Sequence, residues 1–501
     1  MTKTPSQNAV DKLIGVVHPS EALKRQKARM ALHQLRRFDG AGGGRRTDGW
    51  TSATSSSADA VNGPDLAKMR DRSRDLTRNS PYASRAVSTI CSNTVGTGIL
   101  PRISSRRSKV RQSRITDLFN EWAADPSQID WESRNDFYGL QNLVLRTVVE
   151  SGECLIRRRT VLDNETIPLR LQVLEPDFLD TGRDGAIATG HIKQGIEFNR
   201  EGQRVAYWVF ETHPGDSSIS SISGLGKSNR IDAKEILHVY RQERPGASRG
   251  IPWSHSVIIK LRDFEDYSDA QLLKQKISAC FAGFVVEPES PDAALEGDLI
   301  ESLEPGLLEV LPPGKDIKFA NPPSTAEYEK FTRSILLQIA SGYGITYESL
   351  TSDLSATNFS SARLGWLEFY RNIETWRWQM LIPQFLTPTW KWFKNAAEIG
   401  GVPVGDVKIE WTPPRRELID PSTEIEATIK QVRAGLLSLP KALRQFGYDP
   451  EEIMAEIGES NDRLDALKLI LDSDPRQTAH NGATQKAESS EDSSTEESQI
   501  N

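Results

Sequence analysis

Two hydrophobic periods divide this chain. Over residues 64–98, Leu66, Met69, Leu76, Ala83, Ala86, Val87, Ile90 and Val95 give one apolar helical face, and Pro81 should split it into two helices. Residues 115–125 and 136–150 also read as helical. From Gly152 to Tyr240 the pattern shortens to β-rich runs: ECLIRRRTV, PLRLQVLEP, GIEFN, RVAYWVFET and EILHVYR, with turns between them. This predicts a mixed α+β body without the regular β-α alternation of a nucleotide-binding sheet. Pro252 to Val285 returns to helical spacing, through Val257, Leu261, Phe264, Tyr267, Leu273, Ile277 and Phe281.

A stretch rich in Pro, Gly and acid follows, in which LLEVL and IKFA are strand candidates. A second helix begins near Thr325, with Phe331, Ile335, Leu336 and Ile339 on its apolar face, and runs into Gly342 and Gly344. A polar loop of small residues comes next, then the most apolar helical region, 359–395. Five of the eleven tryptophans lie there (Trp366, Trp376, Trp378, Trp390, Trp392), and Pro383 and Pro388 should kink or end the helix. Residues 420–470 read as a small helical cluster, with Asp420-Pro421 and Asp449-Pro450 as start signals. The ends have linker or disordered composition, apart from a possible helix over Glu21–Phe38.

Charge changes this picture locally. The net charge is −7, yet residues 1–46 hold ten Lys/Arg against three Asp/Glu, and residues 102–114 hold six basic residues and no acid. Such segments suit phosphate contact or a solvated, partner-binding face equally well. No apolar run approaches the ~20 residues of a membrane span, and the first residues lack a signal-peptide core, so a cytoplasmic site of synthesis and residence is expected. Cys91, Cys154 and Cys280 sit far apart among apolar neighbours and match no metal spacing; buried reduced thiols are expected.

The search for chemistry is mostly negative. Gly224-Leu225-Gly226-Lys227-Ser228 resembles the end of a phosphate-binding loop, but Ser221 stands where its first glycine belongs, and the following residues read as turn and strand. The seven histidines are scattered, without the helical i, i+4 pair of a metal site. Glu150 and Glu153 could form a carboxylate pair but read as a strand edge. Asp263, Asp266 and Asp269 share a helical face beside Glu265, which suits a solvated acidic surface better than a cation site. Between Ser324 and Arg371 there is no His or Cys and no Lys beyond Lys330. A long polar loop between two strong helices, with no reactive group, suits contact and not reaction.

Several segments together resemble the lambda-type family of tailed-phage portal proteins. They are GECLIRRR, LQVLEPDFLDT, GIEFNREGQRVAYWVF, ILHVYRQERPGASRGIPW with FEDYSDAQLLKQKISACFAGFV, LEPGLLEVLPPGKDIKF, ESLTSDLSATNFSSARLG and LLSLPKALRQFGYDPEEIMAEI, in family order over about residues 64–460. Phe359 stands where the family often shows Tyr. The resemblance implies an α+β, portal-type subunit with disordered termini: a basic arm (1–63), a wing (64–251), stem helices (252–284 and 324–342) around an inserted clip (285–323), a tunnel loop (343–360), a wing helix and return (361–414), a crown (415–472) and an acidic tail (473–501).

It further implies a ring of about twelve copies at one capsid vertex. Such a ring nucleates head assembly, docks the terminase, passes double-stranded DNA without reading its sequence, and meets scaffold or major capsid protein, head-completion and tail-connector proteins. The expected location is the virion, and the host cytoplasm during assembly. No catalysis, cofactor, metal or membrane partner is implied. The expected DNA-facing residues of the tunnel loop are Ser352, Ser355, Thr357, Asn358, Ser360 and Ser361. Another capsid-associated connector or minor head protein is the alternative; a packaging enzyme would need the phosphate loop or metal cluster not found.

Overall fold

The computed structural model describes residues 55–105, 107–161, 166–216, 227–279, 283–286, 308–311, 328–355, 358–414, 420–469, 471 and 476. The expected arm helix Glu21–Phe38, the IKFA strand, Thr357 and most of the acidic tail lie outside them. The chain divides into two compact units, 1–61 and 62–501, and the second holds the elements that follow.

Helix α1 (Leu66–Asn79) and helix α2 (Pro81–Thr94) meet at Ser80, whose hydroxyl caps α2 with Pro81 in its first turn. Strand β1 (Leu100–Ser104), helix α3 (Lys109–Ala124), the short α4 (Pro126–Ile129) and α5 (Phe137–Ser151) follow. Asp136 caps α5 through the Gly139 N–H. Strands β2 (Glu153–Arg159), β3 (Arg170–Leu174) and β9 (Ile236–Tyr240) make an antiparallel sheet in the order β3-β2-β9. A second antiparallel sheet is a meander of β4 (Gly185–Ile187), β5 (Gly190–Lys193), β6 (Ile196–Asn199), β7 (Arg204–Phe210) and β8 (Ser228–Asp232), with a bulge between Glu197 and Phe198. The fold class is α+β, as the sequence periods implied. Strands β1, β4, β5 and β8 were not legible in them.

Helix α6 (Ile258–Ala279) is shorter than the pattern predicted. Gly283–Val286 is a strand, β10, parallel to β11 (Leu308–Leu311). The run Phe284-Val285-Val286 after a glycine favours the extended backbone over a continued helix. Helix α7 (Tyr328–Tyr343) packs on α6 through Tyr267, which stacks on Tyr328 at 5.9 Å and meets Phe331 edge-on at 4.8 Å.

The apolar region is one helical run in three parts: α9 (Phe359–Trp376), a wide π-helical stretch (Arg377–Leu386) and α10 (Thr387–Ile399). Neither proline ends it. Pro383 sits inside the π-helical part, where the wider turn relieves the clash that a proline ring makes with the preceding turn. The Thr387 N–H accordingly reaches back five residues, to the Ile382 carbonyl. Pro388 lies in the first turn of α10, directly after the π-helical stretch. Strand β12 (Lys408–Thr412) returns to pair antiparallel with β1, Ile103 opposite Ile409. The C-terminal helices are α11 (Pro421–Arg433), α12 (Leu439–Gln445) and α13 (Pro450–Leu467). Asp420 and Asp449 cap α11 and α13 as their sequence predicted.

The main core lies where α5, α3 and the α9–α10 run meet. Phe119 touches Trp122, Phe137, Trp390 and Phe393 with ring centres 4.9–5.7 Å apart. Trp376, Trp390 and Trp392 are buried, Trp366 partly so, while Trp378 is half exposed. Arg377, 3 % exposed, caps the C-terminal end of α2: its guanidinium donates to the carbonyls of Thr94 (2.7 Å) and Asn93 (2.8 Å). It thereby fixes the long helical run to α2.

Candidate functional site

The segment expected as one loop, 343–360, is more ordered than its composition suggests. Gly344 turns the chain at the end of α7 with φ of +74°. Thr346 then caps a short helix α8 (Tyr347–Thr351) through the Ser349 N–H. Ser352 ends α8 in the left-handed region, and α9 starts at Phe359, leaving 352–358 as the polar gap. Asp353 organises that gap. Its carboxylate accepts from the Tyr347 hydroxyl (3.1 Å), from the Ser355 N–H (3.0 Å) and hydroxyl (2.6 Å), and pairs with Arg333 of α7 (3.4 Å). The hydrogen bonds from Ser355, with smaller help from Tyr347 and Arg333, hold this carboxyl below its ordinary range.

Four of the six candidate residues have local partners. Asn358 and Ser361 form a capping box on α9: Asn358 Oδ1 accepts from the Ser361 N–H (2.8 Å), and the Asn358 N–H donates to Ser361 Oγ (3.3 Å). Ser355 is spent on Asp353, and Ser352 Oγ accepts from Arg85 of α2 (3.3 Å). Ser360 is exposed, as is Leu354 at 66 %. Asn358 ahead of an apolar helix is itself an N-cap signal.

Four of the six basic residues in the stretch 102–114 pair within the chain, with three carboxylates. Arg102 pairs with Glu410 (3.5 Å) and Glu451 (3.4 Å), Lys109 with Glu451 (3.7 Å), and Arg107 and Arg111 with Asp406 (3.4 and 3.6 Å). These pairs join β1 and α3 to β12 and α13. Asp263, Asp266 and Asp269 are exposed on α6, as a solvated acidic face requires, with Asp266 paired to Arg262 at 3.2 Å. Residue Ser228, after Lys227, opens a strand and not a helix, which removes the context a phosphate loop needs. Cys91 and Cys154 are free and buried, and burial pushes the Cys91 thiol up to about 12 and the Cys154 thiol higher still.

Among the described residues, Glu175, Asp177 and His213 converge closely enough to suggest a metal site. Arg74 reaches both carboxylates (3.1 and 2.6 Å) and Arg70 reaches Asp177 (3.1 Å). Two guanidinium groups already supply the positive charge a cation would bring.

Sequence reading missed the most heavily built polar feature. Glu153 opens β2, at the strand edge expected, but that strand is the middle one of its sheet, and Glu153 is fully buried. Its carboxylate accepts from Arg249 Nε (2.8 and 3.0 Å) and Nη2, the Gly250 N–H (2.9 Å), His238 Nε2 (2.8 Å) and Arg70 Nη2 (3.4 Å). Burial alone would raise this carboxyl; Arg249 and the His238 hydrogen bond outweigh it and hold it well below the carboxylate range. Burial pushes the His238 imidazole down to about 4, against the pull of Glu153. The geometry assigns its tautomer: Arg204, which can only donate, faces Nδ1 at 3.3 Å, so the proton sits on Nε2. The cluster joins α1, β2, β7, β9 and the segment before α6. It is closed to solvent and holds no nucleophile.

The subunit is thus a mixed α+β body with a packed helical pair, a polar gap between capped helices and a buried charge cluster. The sequence places it more closely. The model of the phage portal proteins of the lambda family matches residues 43–377, well over half of the chain. The chain belongs to that family. It is 27 % identical over 473 residues to the probable portal protein of Halomonas phage phiHAP-1, covering 89 % of this chain and 90 % of that one. It is 21 % identical over 493 residues to the portal protein of Escherichia phage N15 (86 % and 91 % covered). To portal protein B of Escherichia phage lambda it is 20 % identical over 476 residues (83 % and 87 % covered). A chain of a native gene transfer agent virion superposes with a TM-score of 0.41 at 14 % identity, covering 77 % of this chain and 94 % of that one, too loose a likeness to carry an argument.

Proposed function

We propose that this portal protein works as a ring at one capsid vertex, a non-enzymatic channel for double-stranded DNA and an assembly hub. In this reading it nucleates the head, docks the terminase during packaging and later receives head-completion and tail-connector proteins. Its place is the virion, reached from the host cytoplasm. Family membership over residues 43–377 is the observation that carries this reading. The α6–α7 pair would be the stem, the segment between them the clip, and α11–α13 the crown.

The gap 352–358 would face the channel. DNA carries one charge per ~1.7 Å of axis, so a basic wall would hold it and an uncharged one lets it slide. Asp353 is neutralised by Arg333, so the gap presents small polar groups and Leu354 without net charge. Contacts there would reach only the DNA backbone and carry no sequence information. Of the six serine, threonine and asparagine candidates, Ser352 and Ser360 are exposed without a role in the capping box or the Asp353 network, and Ser355, Asn358 and Ser361 would act by shaping the gap, while Thr357 lies outside the described residues.

Electron microscopy of the purified protein tests the ring, with a closed ring of about twelve subunits and a central hole expected. A monodisperse monomer under assembly conditions, or ATPase or nuclease activity in the pure protein, would overturn it. Deleting residues 354–357, which spares Asp353 and the Asn358 cap, should leave rings and proheads intact and abolish DNA packaging or retention. Normal packaging by that variant would remove the gap from the channel.

A further inference from the structure

Two C-terminal helices carry apolar rows that the subunit leaves open. Along α11 and just beyond it the row is Ile425, Ile429, Val432 and Leu436; along α13 it is Ile453, Ile457, Leu464 and Leu467. Steps of three, four and seven place each row on one helical face. An ordinary surface helix turns such a face to its own core. Here Ile425 is 43 % exposed, Ile429 45 %, Leu436 81 %, Ile457 53 % and Leu467 63 %. No residue of α11 is buried, and Pro450 alone is buried in α13.

Helix α11 is inverted with respect to the body. Its polar residues Glu424, Thr428 and Gln431 line a cavity of about 1120 Å³ shared with Tyr370, Trp411 and Phe446, while its isoleucines point away. The charges beside the two rows are complementary. Glu452, Glu456 and Glu459 form an acidic row along α13. Beside the α11 row stand Lys430 and Arg433; Lys430 is paired to Glu426 at 3.5 Å, so Arg433 adds a positive charge there.

We propose that the apolar row of α11 in one subunit packs against that of α13 in a second copy of this chain. Two different surfaces meet, so the contact is heterologous, and repeated around an axis it closes a ring. The inference rests on the ring reading above and names the surface that zips the C-terminal helices together. The acidic row of α13 then lies beside Arg433 of the neighbour and fixes the direction of the pairing.

A cysteine pair tests it on the full chain. Ile429→Cys and Ile457→Cys are placed in one polypeptide carrying Cys280→Ser, with Cys91 and Cys154 left in their buried places. Rings are oxidised and run on a non-reducing denaturing gel. A ladder of covalent multimers is expected, with each single variant remaining monomeric. Monomer alone from rings seen by microscopy, a compact internally linked monomer, or a dimer from either single variant would overturn the pairing and leave the ring intact. Failure of the Cys280→Ser parent to form rings, where the unmodified chain also forms none, would instead overturn the ring reading and this inference with it. In parallel, Ile425→Glu with Ile429→Glu should lower the assembled fraction roughly tenfold or more at equal subunit concentration, since burying the exposed part of each isoleucine is worth roughly a factor of three to ten. Unchanged assembly would count against the surface.

Discussion

Replacing Glu153 with Gln would test how much the buried charge cluster weighs. The change preserves the size of the side chain and removes its charge. Arg249, with a side chain 2 % exposed, would keep a contact to the Gln194 carbonyl at 3.3 Å but lose its carboxylate. Arg70, 4 % exposed, would keep Asp177. The new amide nitrogen would also face donors that now find an acceptor: the Arg249 guanidinium, the Gly250 N–H and His238 Nε2. Stranding one half of a buried ion pair costs about 3–5 kcal/mol, a large share of the ~5–15 kcal/mol that separates folded from unfolded domains. The assay is urea unfolding of the unassembled subunit, followed by tryptophan fluorescence. Glu153→Leu combined with Arg249→Met, which removes both charges, should recover part of the loss. A cost below about 1 kcal/mol for Glu153→Gln would refute the reasoning, because Arg249 would then have found water or another partner.

His238, held neutral when folded with a value of about 4, would gain a proton below about 6.5 once unfolded; stability should therefore be full above pH 6.5 and fall by up to about 3 kcal/mol between pH 6.5 and 4. Glu153, depressed when folded, adds a further loss only below about pH 4.5, and urea midpoints for the native chain and His238→Gln should diverge in the upper window alone. Asn358→Ala should cost about 1 kcal/mol and raise amide exchange in the first turn of α9, without loosening α8. Gly250→Ala should cost about 1–3 kcal/mol or prevent folding, because its Cβ would lie 2.2 Å from the Gly152 carbonyl oxygen; a neutral effect in thermal melting would contradict this.

Local signals in the sequence located most helices correctly. Pro81 divides α1 from α2, and the Asp-Pro starts of α11 and α13 stand where the capping rule puts them. What escaped is non-local. Glu153 meets Arg70 and Arg249 across 83 and 96 residues of chain, and nothing in a window around ECLIRRR shows those partners. Strand β1 finds β12 some three hundred residues later, so LPRIS has no local reason to be a strand. Pro383 misled because the helix-breaking rule assumes α-helical register, and a wider turn suspends it. The polar gap was legible as a place, but its small residues serve first as caps. The same hydroxyl and amide groups that suit weak phosphate contact also satisfy helix ends.

The close approach of Gly152 and Gly250 has a mechanical consequence. A side-chain carbon on either would strike the other's strand of backbone, and the Gly250 N–H is bonded to Glu153. The segment leading into α6 is thus tied to the central strand β2, two glycines and one carboxylate forming the joint. A load applied along α6 passes into the sheet without slack. Any bending that this subunit performs must occur farther out, beyond Phe264, where the helix leaves the core and its acidic face meets water.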